Sequence, residues 1–478
     1  MEAKDSAQEA MIQSEPKQRW YHIDTAMIPA KVAYFFYGFK EGAYMPYINL
    51  FFIDVGLSPS QAGLVTGLRY IGALLGAICW SMVSDWSRKP RLVLVVVTVS
   101  LIGVLLPQPW LPTLLASDNP CHPNQTASQN ATYLGVGGCE RSDLFFKLLC
   151  FNIIICFFDG YIQPFIDSSV VTQIQTSTRK ADIGNQKFFF SFGFCIASVS
   201  VSAIIECLPK SFGISKFSVQ YFLYAGAVLM ILIDGNFLIN KKNSSGKDSK
   251  VENDPQKSDG VAKALMSTVL NFEVIFFLLT CLLLGALFGM YANFLLVMMR
   301  EQNPPNIVLG LTIAVGSTAG FLMFPIATRF IKAVGGPMEG MTISCLANVV
   351  RMFVYGYADS PYVLMAANIT NGFTLTIFLV AAIIHTEAVS PKQILTSMCG
   401  VVNGTIWGAG MMTANIFGGL AYQRWGGSIM YRGAGIITSI WTVFMVIFIL
   451  CKRLGKQKSA QETTLIGNDT DDSSRLPV

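Results

Sequence analysis

Two charged residues, Lys40 and Glu41, stand side by side in the otherwise apolar and aromatic stretch FFYGFKEGAYMPY at 35–47. At the helical spacing of about 100° per residue, this pair shares one helix face with Tyr37 and Tyr44. A charge in the middle of a bilayer costs about 2.5–3.5 kcal/mol on a lenient scale, so such residues usually face a cavity or a partner. The pattern favours a solute or proton site, although mutual neutralisation of the two charges would also explain it.

A second polar stripe occurs in the run CFFDGYIQPFIDSSV at 156–170. Asp159, Gln163 and Asp167 are spaced by four, which places them on one helix face. Pro164 should kink this helix and free a carbonyl, which is tolerated where backbone lines a cavity. We therefore predict that Asp159 and Gln163 line a solute pathway. Asp167 lies nearer the end of the run, where it is either a gate residue or simply solvated.

Other polar or aromatic residues occur singly inside apolar stretches. Asparagines in such stretches can bond across helices instead of contacting a solute, and glycines beside them favour close packing. Both interpretations stay open for these residues. Arg69 is placed at a depth that would let it approach Glu41. Arg351 is shallow enough for its side chain to extend to the membrane surface, which favours a structural role for it. We add to the candidate pathway Arg69, Asn293, Asn371, Asn403 and Trp407.

The composition shows what kind of protein must position these residues. Hydrophobic residues make up 52% of the 478 residues and charged residues 13%, with a mean hydropathy of +0.49. A soluble protein would carry about 25% charged residues. The chain is therefore predicted to be an integral membrane protein, and its net charge of +5 does not indicate a nucleic-acid partner. No motif for nucleotide hydrolysis, metalloenzyme chemistry or metal binding occurs, so we expect neither an enzyme nor a cofactor or metal.

A hydrocarbon core of about 30 Å requires roughly 20 apolar residues of helix. This criterion predicts an all-α membrane protein with twelve transmembrane helices. The helices are numbered here as segments 1 to 12: 31–53, 62–84, 91–112, 144–173, 188–208, 219–240, 270–297, 307–331, 339–357, 361–385, 394–421 and 428–451. The predicted domains are a cytosolic tail at 1–30, a six-helix bundle at 31–240, a cytosolic linker at 241–269, a second six-helix bundle at 270–452 and a cytosolic tail at 453–478.

The distribution of basic residues predicts that both termini are cytosolic. With that orientation most of the 34 lysines and arginines fall on the cytosolic side, as the positive-inside rule requires. The largest predicted outer loop, 113–143, contains glycosylation triplets at Asn124 and Asn130. It also contains Cys121 and Cys139, which could form a disulfide in an oxidising lumen.

The loop SMVSDWSRKPRL at 81–92 resembles the signature loop of the major facilitator superfamily, G-x-x-x-D-[RK]-x-G-[RK]-[RK]. Asp85 matches the aspartate, and Arg88 and Lys89 belong to the basic cluster. In that family the loop is understood to hold helices together when the cytosolic side is closed. The match departs at Ser81, where glycine is expected, and at a tryptophan that replaces a base.

Three further stretches extend the resemblance over about residues 30–450. YFFYGFKEGAYMPYINLFF at 34–52 resembles the first helix of the lactose-permease-like branch. IGNQKFFFSFGFC at 183–195 resembles part of a later connection in that branch, with Lys187 in place of an arginine. GVVNGTIWGAGMMTANIFGGLAYQRWG at 400–426 resembles a glycine-rich helix of the animal group around major facilitator superfamily domain-containing protein 6. The resemblance implies two six-helix bundles with segments 1, 4, 7 and 10 lining a cavity.

The combined prediction is a secondary-active transporter of a small polar organic solute by alternating access, with or without a coupled proton. Glu41 and Asp159 are the preferred proton or cation sites, with Lys40 and Arg69 as charge partners. We expect a monomer in the lipid bilayer of the plasma or endosomal membrane. The predicted cytosolic gate consists of Asp85, Arg88, Lys89, Asp167 and Lys187.

The alternative is a cell-surface receptor or scaffold that uses the same fold without transporting. Such a receptor should lose ligand binding when the loop 113–143 is trimmed and should tolerate changes at Glu41 and Asp159. A transporter should show the reverse.

Overall fold

The computed structural model describes residues 27–87, 89–114, 142–176, 183–207, 215–243, 265–391 and 394–472. Each of the twelve predicted segments is mostly helical within these ranges. The helices of segments 1 to 6 are Ile28–Tyr44 with Ile48–Asp54, Pro59–Ser87, Pro90–Leu105, Ser142–Asp159 with Ile162–Thr176, Ile183–Cys207, and Val219–Asn243. A single turn at Leu111–Leu114 follows segment 3.

The second half begins with Phe272–Glu301, Asn306–Ala333 and Pro337–Tyr357, which form segments 7 to 9. Segment 10 changes its helical type along its length: Pro361–Ala367 is α-helical, Asn368–Thr370 is 3₁₀, Gly372–Ile377 is π-helical and Phe378–Val389 is α-helical. Segment 11 starts with Leu395–Asn403 and the π-helix Gly404–Gly410, and the helix Met411–Asp472 completes it and forms segment 12.

Eight helical stretches of the described chain are long and apolar enough to cross a membrane. The last of them, Met398–Leu454, has 57 residues and contains one non-helical residue, Gly426, at φ 79° and ψ 167°. A helix of about 20 residues already spans a bilayer, so this stretch is long enough for two passes. The protein is an all-helical membrane protein, as predicted.

Segments 1 and 4 are both interrupted beside their polar residues. In segment 4 the α-helix stops at Asp159 and resumes at Ile162. Pro164 has no N–H with which to bond the carbonyl of Gly160, which explains the break at this point. In segment 1 the helix is interrupted around Pro46, between Tyr44 and Ile48.

Segment 1 packs against segments 5 and 6, and its glycines permit unusually close contact. A β-carbon at Gly38 would lie 1.9 Å from the carbonyl oxygen of Phe190 in segment 5, and one at Gly42 would lie 2.3 Å from that of Phe194. Backbone therefore touches backbone along this face. Because the glycine face of segment 1 is occupied by segment 5, the charged residues of segment 1 lie on its other faces.

The two halves of the chain meet at the predicted outer end through three helix pairs: segments 1 and 7, 2 and 11, and 5 and 8. The Asn49 amide donates a hydrogen bond of 3.1 Å to the carbonyl oxygen of Asn293. A β-carbon at Gly63 would lie 2.2 Å from the carbonyl oxygen of Asn415. The predicted outer end is closed in this conformation.

Candidate functional site

The Lys40 side chain lies about midway along segment 1 and is completely buried. Its ammonium nitrogen is 2.5 Å from Oδ1 of Asp159 and 3.0 Å from Oε1 of Glu41. The same nitrogen lies 4.7 Å from the ring centroid of Tyr37 and 5.2 Å from that of Tyr224, within the range of cation–π attraction. Two carboxylates and two aromatic rings therefore surround one ammonium group.

The break in segment 4 positions the Asp159 carboxylate against Lys40. Asp159 is the last residue of its helix, and Gly160 follows it directly. A β-carbon at Gly160 would lie 2.3 Å from the carbonyl oxygen of Ala73, so segment 4 is held closely against segment 2 here. A larger residue at this point would push the carboxylate away from its partner.

The carboxylates, unlike the ammonium, are accessible. The side chains of Glu41 and Asp159 are 25% and 20% exposed, whereas that of Lys40 is 0% exposed. The exposed Gln163 lies next to them and accepts a hydrogen bond of 2.9 Å from the Tyr37 hydroxyl. The accessible region beside Glu41, Asp159 and Gln163 is termed the open space, and the buried lysine lies behind the carboxylates.

The two polar stripes recognised in the sequence face each other in the structure. Four hydrogen bonds connect them in antiparallel order: Tyr34 to Asp167 at 2.5 Å, Tyr37 to Gln163 at 2.9 Å, Lys40 to Asp159 at 2.5 Å, and Tyr44 to Asn152 at 2.9 Å. Sequence reasoning missed Tyr34, Asn152 and Tyr224. Helical spacing could have identified the first two, because Tyr34 lies one turn before Tyr37 and Asn152 two turns before Asp159.

Arg69 does not make the approach to Glu41 that the sequence suggested. Its guanidinium carbon lies 5.1 Å from the ring centroid of Tyr44 and 5.3 Å from that of Tyr70. The side chain is 5% exposed, and its Nη1 atom has no hydrogen-bond partner. Within the described residues no carboxylate is at ion-pair distance from Arg69, and the carboxylates of Glu41 and Asp159 pair with Lys40.

Arg351 forms a second buried cationic centre, in the other half of the chain. The sequence suggested that it extends to the membrane surface, but the side chain is 2% exposed and its nitrogens bond to neutral groups. The acceptors are the Tyr355 hydroxyl at 2.7 Å, Asn368 Oδ1 at 2.7 Å, Thr374 Oγ1 at 2.8 Å and Asn371 Oδ1 at 3.1 Å. Asn371 was predicted to contact solute. It is 5% exposed and joins segment 10 to Arg351 instead.

The other predicted pathway residues differ in exposure: Asn293 is buried at the closed outer end, whereas Asn403 and Trp407 are exposed. Asn293 is fully buried, bonds to the Gly289 carbonyl at 3.0 Å and takes part in the outer closure through its own carbonyl. It does not face the open space in this conformation. Asn403 is exposed, and Trp407 is 37% exposed with its ring 5.4 Å from that of Phe288.

The predicted cytosolic gate is only partly described. Lys89 is exposed, and Asp167 accepts the hydrogen bond from Tyr34. Arg88 lies outside the described residues. Asp85 and Lys187 lie in helices, but their side chains are not described. The gate stays a prediction.

The predicted glycosylation sites Asn124 and Asn130 lie outside the described residues, as do Cys121 and Cys139. Both modifications stay predictions. Among the described residues, no group of three or more histidine, cysteine, aspartate or glutamate side chains could hold a metal ion.

Comparison with known proteins gives matches over most of the chain. The model of the MFS_1 like family matches residues 27–433. A Danio rerio protein called "Major facilitator superfamily domain-containing protein 6-like" is 19% identical over 529 residues, covering 95% of this chain and 93% of that protein. The Xenopus laevis "Major facilitator superfamily domain-containing protein 6-like protein B" is 22% identical over 286 residues, covering 59% of this chain and 44% of that protein.

Two solved structures share the arrangement of helices. The nucleoside transporter NupG superposes with a TM-score of 0.65 at 13% identity, covering 89% of this chain and 99% of NupG. A D-xylose-proton symporter superposes with a TM-score of 0.63 at 13% identity, covering 88% of this chain and 96% of the symporter chain. At this identity the likeness shows the fold alone.

Proposed function

Because the chain belongs to the MFS_1 like family, we propose that it is a secondary-active carrier that moves a small polar organic solute across a membrane by alternating access. The observation that supports this most strongly is the cluster of Lys40, Glu41 and Asp159. It lies midway along segments that cross the bilayer, and its carboxylates are open to a space between helices. Ionisable groups at such depth are costly and are typically kept where they bind or relay something.

The arrangement of the two halves supports the transport mechanism. A carrier exposes its central site to one side of the membrane at a time, by rocking one half against the other. The contact between Asn49 and Asn293 closes one end, while the carboxylates remain accessible. The names of NupG and the D-xylose-proton symporter describe carriers of small polar solutes, which agrees with the solute class proposed here.

A proton is the proposed coupling ion, and Glu41 or Asp159 would carry it. Neutralising Asp159 removes the ionic contact that joins Lys40 to segment 4, so a proton there would loosen the contact between segments 1 and 4. Neutralising Glu41 would leave Lys40 paired with Asp159 alone. This links protonation to the geometry of the site. We further place the protein as a monomer in the plasma or endosomal membrane, with both termini in the cytosol.

Of the variants Glu41→Gln and Asp159→Asn, the one that loses the proton-carrying carboxylate should show uptake that is independent of pH. The measurement is accumulation of labelled nucleosides, pentoses and small amines in proteoliposomes under an imposed pH gradient. Glu273→Gln is the matched control, because Glu273 pairs with Lys452 away from the cluster and its loss should leave the pH dependence intact.

Full pH dependence in both site variants would show that neither carboxylate carries the proton. Absence of uptake by well-folded wild-type protein, for every solute in the panel, would contradict the carrier function itself. Size-exclusion profiles of the two variants that match the wild type would show that the loss of coupling is not a loss of folding.

A further inference from the structure

Lys40 occupies a site whose chemistry is that of a receptor for an ammonium group. Carboxylates supply the two ionic contacts, at 2.5 Å from Asp159 and 3.0 Å from Glu41. Tyr37 and Tyr224 supply the aromatic faces, at 4.7 and 5.2 Å. Carboxylates together with aromatic rings are the groups that proteins use to hold free cationic ligands.

The site has more negative charge than its own lysine balances. With both carboxylates ionised, Lys40, Glu41 and Asp159 together carry a net charge of one negative unit. Arg69 lies nearby, but it stacks on Tyr44 and is not at ion-pair distance from either carboxylate. Counted without Arg69, these three residues would be balanced by one additional monovalent cation.

Access to the site favours the same kind of ligand. The lysine is fully buried, whereas the carboxylates are 25% and 20% exposed. The contacts of Lys40 use Oε1 of Glu41 and Oδ1 of Asp159, and a carboxylate can accept several hydrogen bonds at once. A ligand entering the open space therefore meets hydrogen-bond acceptors and negative charge before it meets the ammonium group.

We infer that the solute carries a protonated amine, and that the Lys40 ammonium is a tethered competitor for Glu41 and Asp159. The inference names the solute class of the site described above, and its transport step rests on the proposed carrier function. When the amine binds, it shares the carboxylates with Lys40, and the four charges balance. When it leaves, Lys40 again contacts both carboxylates, which lowers the cost of keeping them in the membrane interior.

Thermal unfolding of the purified full chain tests this with two ligands of matched shape. Phenethylamine carries the ammonium group and 2-phenylethanol carries a hydroxyl in its place. Phenethylamine should raise the unfolding temperature of the wild type with increasing concentration, because a ligand that binds only the folded state stabilises it. The alcohol should not. The double variant Glu41→Gln/Asp159→Asn should lose the response to the amine.

Lys40→Ala should bind the amine more tightly than the wild type does, by about tenfold or more, because one charge-assisted contact no longer competes. Lys31→Ala is the matched control. Lys31 lies in the same helix and over the ring of Phe189 at 5.6 Å, but no carboxylate pairs with it in the described chain. Its loss should leave affinity for the amine at the wild-type value. Methylammonium should also restore the unfolding temperature of Lys40→Ala by filling the vacated position.

Equal stabilisation by the amine and the alcohol would overturn the inference, as would a response to the amine that survives in the double variant. Absence of any response to phenethylamine and methylammonium would overturn it too. If Lys40→Ala does not fold, the inference is still tested by comparing the effects of the two ligands on the unfolding temperatures of the wild type and the double variant.

The outcome for the solute class is separate from that for the carrier function. Amine binding without exchange across proteoliposomes would keep the inference and contradict the carrier function. Uptake of neutral solutes without amine binding would support the carrier function and contradict the inference that the solute is an amine.

Discussion

Lys40→Met is expected to lower the free energy of unfolding by about 3 kcal/mol, the low end of the cost of removing one partner from a buried ion pair. The loss leaves the Glu41 and Asp159 carboxylates together without a cation within the membrane. Their partial exposure, 25% and 20%, keeps the cost from being larger. The measurement is unfolding of the purified chain in detergent, by heat or denaturant.

The double variant Lys40→Met/Asp159→Asn should be more stable than Lys40→Met alone. Removing Asp159 as well takes away the charge that the first change left without its cation. The resulting double-mutant cycle measures the coupling between the two residues. Lys31→Met serves as the control in the same helix and should change stability little. If the effects of Lys40→Met and Asp159→Asn simply added, or if Lys40→Met matched Lys31→Met, the ion pair would not be what holds segments 1 and 4 together.

A disulfide between residues 202 and 310 is expected to reduce transport to background. Ser202 and Gly310 belong to opposite halves of the chain and lie toward the predicted outer end of segments 5 and 8. A β-carbon at Gly310 would lie 2.8 Å from that of Ser202. Native disulfides have β-carbons about 3.8 Å apart, so a small separation of the helices would accommodate the bond. Because alternating access requires this end to open, closing it covalently should stop the cycle.

The experiment compares uptake by Ser202→Cys/Gly310→Cys before oxidation, after oxidation and after reduction. Each single cysteine variant controls for the native cysteines, including Cys195 and Cys207 in the same helix. Reduction should restore uptake, which shows that the block comes from the bond. Undiminished uptake by fully cross-linked protein would contradict the proposed opening of this end.

Spacing in the sequence was enough to find the two stripes, because helical periodicity follows directly from residue number. The stripe of Lys40 and Glu41 and the stripe of Asp159 and Gln163 both have the geometry that spacing predicts. Their mutual pairing could not be predicted, because it depends on which helices are neighbours. The contact of Tyr34 with Asp167 has the same origin.

Isolated polar residues were harder to interpret, because a single residue does not indicate which side of its helix meets a cavity. Arg69 and Arg351 show this most clearly. Depth alone suggested a carboxylate partner for one and the membrane surface for the other. The structure surrounds Arg69 with tyrosines, and it satisfies Arg351 with amides and hydroxyls of segments 9 and 10. Asn293 likewise belongs to the closed outer end.

The family and the helical fold were within reach of the sequence because they depend on long apolar stretches and on a recognisable loop. The solute was not, because specificity depends on a few contacts whose geometry no periodic pattern specifies. Glu41 illustrates the difference. Its presence in a membrane helix is evident from the sequence, but its accessibility beside a buried lysine is visible only in the structure.

Alternating access to the carboxylate cluster is tested most directly by labelling a cysteine at residue 163. Gln163 is exposed in the open space and bonds to Tyr37. Labelling of Gln163→Cys therefore shows from which side of the membrane a reagent can reach the site. A membrane-impermeant thiol reagent is applied to proteoliposomes from one side at a time, with wild type as background for the native cysteines. The account predicts labelling from both sides, and loss of labelling from the predicted outer side alone once residues 202 and 310 are cross-linked. Labelling from a single side, unchanged by the cross-link, would contradict it.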